Sequence, residues 1–135
     1  MTTEMSMLVW SVVLGLVQIA IAATLSTGQR GLPWAAGPRD VSPPLTGIPA
    51  RLDRARANFL ETFPLFIAVV FAAQLLQRHD AMTILGAQLY FWARVVYVPV
   101  YAAGIPYLRT LIWTAGMLGI AALTPTYEFP FQCAQ

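Results

Sequence analysis

The chain has no lysine, a single cysteine, a single histidine and little charge of either sign. All eight cationic side chains are arginine, set against six acidic ones. The resulting net charge of +2 is too small to suggest a nucleic-acid partner. A lone cysteine, Cys133, excludes an intrachain disulfide and a cysteine-cluster metal site, and reads as a bystander near the C-terminus. The lone histidine, His79, excludes a His-rich metal pattern and reads as a solvated turn residue. There is no matched Ser/His/Asp set, no glycine-rich phosphate loop and no internal repeat. Charged residues are 10% of the chain, where a soluble domain carries about 25%.

What fills the space is apolar. Hydrophobic residues make up 58% of the chain, and the mean hydropathy is +0.63. This composition belongs in a membrane, and 135 residues allow one domain, residues 1–135. Residues 7–25 are mostly apolar, with Ser11 and Gln18 among the few polar exceptions, and are long enough to cross a hydrocarbon core. The segment before them carries Glu4 and no basic residue. It lacks the charged start of a signal peptide, and we expect a retained first helix, about 5–27. Residues 28–50 are dense in glycine and proline, which predicts a loop, with Trp34 as an interfacial anchor. Further helices are expected over about 51–77, 81–103 and 107–124. Pro64 and Pro99 fall inside two of them and predict a kink or a freed carbonyl. The expected fold is all-α, an integral membrane four-helix bundle.

Arginine counting orients it. Arg30, Arg39, Arg51, Arg54, Arg56 and Arg109 lie on one side, and Arg78 on the other. The first and third loops are therefore expected in the cytoplasm and both termini outside.

The second helix opens with the densest charge in the chain. Arg51, Arg54, Asn58 and Glu61 are spaced to share one helical face. Glu61 lies about 15 Å along the axis from Arg51, deep enough to be a functional-site candidate. On the third helix, Tyr90, Arg94, Tyr97 and Tyr101 form a second polar face. Unpaired charges at similar depth are costly, so we expect Arg94 to pair with Glu61, within or between subunits. Arg109 begins the fourth helix at the same end. Trp10, Trp92 and Trp113 read as lipid-facing or packing residues. The two faces predict an arginine-rich cleft with tyrosine hydroxyls and an amide, suited to a small anion with more than one carboxylate. Any nucleophile would come with the ligand, and a guanidinium would stabilise it as a thiolate.

Two blocks carry a resemblance: Val41-Ser42-Pro43-Pro44-Leu45-Thr46 followed by Arg51-x-x-Arg54-Ala55-x-x-Asn58-x-x-Glu61-x-Phe63-Pro64-Leu65-Phe66, and Tyr90-x-x-Ala93-Arg94-x-x-Tyr97-x-x-x-Tyr101 with Arg109 after it. The chain resembles the MAPEG family, membrane-associated proteins of eicosanoid and glutathione metabolism, and looks closest to the leukotriene-C-forming synthase branch. The resemblance implies a homotrimer with glutathione between subunits near the cytoplasmic face. Arg54, Asn58 and Glu61 would hold the tripeptide, with Arg51 at the rim; Arg94 joins this binding set beside Glu61. Tyr97 and Tyr101 would come from the neighbouring subunit, and Arg109 would activate the thiol. Thr62 stands where that branch has a glutathione-contacting tyrosine. The implied activity is a glutathione-dependent transferase or peroxidase acting on a lipophilic electrophile from the membrane lipid. The alternatives are a non-catalytic lipid- or glutathione-binding protein, as the family also contains, and a small transporter subunit.

Overall fold

A computed structural model of the chain describes residues 1–124; Cys133 lies outside them. The described residues are helical with no strand: α1 Thr3–Arg30, α2 Leu32–Ala36, α3 Gly47–Leu75, α4 Ala81–Ala103 and α5 Pro106–Leu123. Three of these, α1, α3 and α4, are long and apolar enough to cross a membrane. The 18 residues of α5 rise about 27 Å, and Arg109 lowers its hydropathy.

Sequence pattern and helices agree to within a few residues at most ends, with one correction. The proline-rich segment 28–50 is not helix-free: it contains α2 and the first turn of α3. Pro33 and Pro49 stand in the opening turns of these helices, where a missing N–H breaks no helical hydrogen bond. Pro64 and Pro99 do not interrupt α3 or α4, and both are exposed, so their rings point away from the core.

Helix α4 packs most extensively on α5, while α1 lies against both α3 and α4. The tightest approach is glycine on glycine. A Cβ at Gly119 would stand 2.7 Å from the Gly86 carbonyl oxygen and 2.8 Å from the Tyr90 nitrogen. Small residues let backbones meet where no hydrophobic force drives helices together. The core is Leu8, Phe66, Val70, Ala87, Tyr90 and Leu123, with Phe66 and Tyr90 stacked at 4.0 Å. Outside it, α1 shows an apolar skin of Val9, Trp10, Val12, Val13, Leu16 and Val17.

The termini of α4 define the two ends of the molecule. Asp80 caps its start, accepting from the Thr83 N–H at 2.9 Å. Nearby, the buried Glu4 carboxylate accepts from the Thr83 hydroxyl at 2.7 Å, and His79 Nδ1 lies 3.6 Å from the same oxygen. His79 is exposed, as expected, but leans on α1 through that contact. At the other end Gly104 takes φ +78°, the left-handed turn that ends α4.

Candidate functional site

A cavity of about 450 Å³ opens at the Gly104 end, lined by Arg54, Ala57, Asn58 and Glu61 of α3, Tyr97 and Tyr101 of α4, and Arg109, Thr110 and Trp113 of α5. Its size falls within the ~300–1,000 Å³ of small-molecule sites. The α3 residues are brought in by helical spacing, since positions 54, 57, 58 and 61 share one stripe. Antiparallel return of α4 sets Tyr97 and Tyr101 opposite that stripe. The short turn at Gly104 then delivers Arg109 on the first turn of α5.

Tyr101 is the hub. Its hydroxyl accepts from Arg54 Nε at 3.3 Å, and the Arg109 guanidinium lies 4.9 Å from its ring centre. Tyr97 packs beside it, ring centres 5.4 Å apart. With two guanidiniums and one carboxylate, the lining favours an anion that still presents a donor to Glu61.

Two residues expected in the site stand outside its lining. Arg51 sends Nη1 to the Ala102 carbonyl at 3.1 Å and lies under Gly104, where a Cβ would come within 2.8 Å of that nitrogen. It thus satisfies a carbonyl left free at the end of α4. Arg94 is buried behind the cavity wall, and its expected partner is corrected. Arg94 Nη1 donates to Asn58 Oδ1 at 2.8 Å. The ion pairs among the described residues are Arg56–Asp53, Arg78–Asp80 and the His79–Glu4 contact, none of which involves Arg94 or Glu61. Asn58 takes the position nearest the guanidinium, and Glu61, three residues further along α3, is exposed and lines the cavity. Thr62 is also turned away: buried, it lies 3.3 Å from the Tyr90 hydroxyl.

Tyr97 and Tyr101 line this cavity together with Arg54, Asn58 and Glu61 of the same chain. Sequence reasoning missed Ala57, Thr110 and Trp113. The signal for Trp113 was its position four residues after Arg109, the same helical face that was read on α3 and α4 but not on α5.

Arg30 and Arg39 lie elsewhere. With Trp34, Asp53 and Arg56 they line a second cavity of about 310 Å³ beside the end of α1. Trp34 anchors the loop by donating to the Val41 carbonyl at 2.8 Å, and the Arg30 guanidinium covers its ring at 4.4 Å. No group of three or more metal-ligating side chains occurs among the described residues.

The helices and the cavity define a helical membrane protein with a pocket lined by arginine and tyrosine at one end. The chain belongs to the MAPEG family, whose model matches residues 7–125. Family members include glutathione-dependent transferases and non-catalytic proteins. Neither a curated protein nor a solved structure matches the chain.

Proposed function

We propose that this protein is a glutathione-dependent membrane transferase or peroxidase, with glutathione held in the α3–α4–α5 cavity. The observation that carries the reading is the convergence of Arg54, Asn58, Glu61, Tyr97, Tyr101 and Arg109 on that single cavity. Glutathione brings carboxylates, an ammonium and a thiol, and the lining meets these with two arginines and one glutamate. Arg54 would take a carboxylate and Glu61 the ammonium. Arg109 would hold the thiol as thiolate, because a guanidinium stabilises the charged form. The Tyr101 hydroxyl accepts from Arg54, which leaves its own proton free to donate into the cavity. The thiolate sulfur would attack the electrophilic atom, forming the S–C bond as the leaving group departs with its electron pair. Trp113, partly exposed in the lining, would offer a lipophilic substrate an apolar face.

The family resemblance supports a homotrimer, and the arginine distribution supports a cytoplasmic mouth for the cavity. The second reading is a MAPEG protein that binds without turnover, favoured by the partial burial of Arg109 against Tyr101 rather than in open solvent.

Glutathione should raise the melting temperature of the detergent-purified protein, by about 2.7 kcal/mol of stabilisation at one hundred times its dissociation constant. Glu61→Ala and Arg54→Ala should lose the shift. In an aryl-halide conjugation assay, Arg109→Ala should lower kcat by orders of magnitude while glutathione affinity changes less. An unmoved melting temperature in the parent protein would sink the glutathione reading; a shift without conjugation would select the binder.

A further inference from the structure

Arg94 is the largest fully buried side chain among the described residues, at 1% exposure, and two of its nitrogens, Nε and Nη2, have no hydrogen-bond partner among them. Its third nitrogen, Nη1, donates to Asn58 Oδ1. Its ring neighbours are Tyr90 and Tyr97, whose centres lie 5.3 and 5.4 Å from the guanidinium carbon. On α5 it meets Gly116, where a Cβ would sit 3.6 Å from Nε, so a large side chain at that position would press on the guanidinium.

A guanidinium has donors and no acceptor. The atom of Asn58 that faces Arg94 at hydrogen-bond distance must therefore be the amide oxygen. That fixes the other end of the amide, because the NH₂ group is then turned from Arg94 on a residue that lines the cavity. Without Arg94 the amide is free to present either end.

We infer that Arg94 is a positioning residue that locks the Asn58 amide with its N–H donors toward the cavity. Asn58 thereby selects an acceptor, a carboxylate or amide carbonyl oxygen, at that place on the ligand. The inference rests on the glutathione reading for its ligand, and on the Arg94–Asn58 contact alone for its geometry. A buried cation relayed through an amide also makes the neighbouring cavity wall electropositive without placing a charge in it.

Three variants test this. Asn58→Asp keeps an acceptor for Arg94, adds its missing counter-charge and deletes the donors. It should melt above the parent protein and lose glutathione binding. Arg94→Gln retains an N–H for the Asn58 oxygen but no charge, whereas Arg94→Met retains neither. By calorimetry, Arg94→Met should weaken glutathione binding about tenfold, the worth of one charge-assisted hydrogen bond, with Arg94→Gln recovering part of the loss. The nitrogen resonance of the Asn58 side-chain amide should move in Arg94→Met and much less in Arg94→Gln. Parent-like binding by Arg94→Met, equal loss in both Arg94 variants, or an Asn58→Asp protein that melts no higher than the parent would each overturn the inference. If the parent itself ignores glutathione, the ligand reading fails. The melting and resonance measurements then still judge the Arg94 contact by the same criteria.

Discussion

Asp80 shows how a single exposed side chain sets a response to acid. Its carboxylate accepts from the Thr83 N–H, and the hydrogen bonds of this helix start hold it below its ordinary value of 3.8. A depressed carboxylate contributes stability above its unfolded value, and the contribution drains away as pH falls through the folded one. Acid should therefore loosen the start of α4. Asp80→Asn keeps a capping oxygen without the charge, so the acid limb of a melting-temperature profile below about pH 4 should flatten. At this same scale the sequence was most informative and also most misleading. Helical spacing placed Arg54, Asn58 and Glu61 on one face, because periodicity is a local property of the chain. The expected partner of Arg94 was wrong because depth along an axis does not choose between Asn58 and Glu61, which differ by less than one turn. Rotation and side-chain reach decide that, and these come from packing. Arg51 went astray for the same reason: it sits on the right stripe, but the end of α4 offers its guanidinium a free carbonyl nearby.

Among the elements, α4 and α5 come backbone to backbone at Gly86 and Gly119. Gly119→Val puts branched carbons where the Gly86 oxygen and the Tyr90 backbone already stand. Overpacking of this kind costs about 1–3 kcal/mol. Equilibrium unfolding in mixed detergent should show a loss of that size, and glutathione affinity should fall too, because Tyr97, Tyr101 and Arg109 shift with their helices. Gly116→Ala, with ordinary contact distances, should be mild. Helix existence and order were legible from hydropathy. The start of α3 and the presence of α2 were not, because counting prolines ignores that the first turn of a helix tolerates them. Trp113 was hidden because tryptophans in apolar segments normally read as lipid anchors, and nothing in α5 alone distinguishes one that faces a cleft.

For the molecule as a whole, the outer surface of α1 and the buried arginine of α4 state the same condition from opposite sides. An apolar skin needs lipid, and a cation inside it must be served by protein groups. An isolated arginine at the centre of a span costs about 2.5–3.5 kcal/mol on insertion scales. Here Asn58, Tyr90 and Tyr97 take the place of water around it.

The pairing of α4 with α5 is extensive and that of α3 with α5 is slight. α4 and α5 therefore form one closely packed pair, which α3 meets chiefly through α4. The cavity lies where α3 faces that pair, taking Arg54, Asn58 and Glu61 from α3 and the tyrosines, Arg109 and Trp113 from α4 and α5. The tripeptide proposed for this cavity would be a clasp between α3 and the α4–α5 pair. Its arrival should slow deuterium uptake along residues 54–61 far more than along the Gly86–Gly119 spine, which is closed whether or not the clasp is fastened.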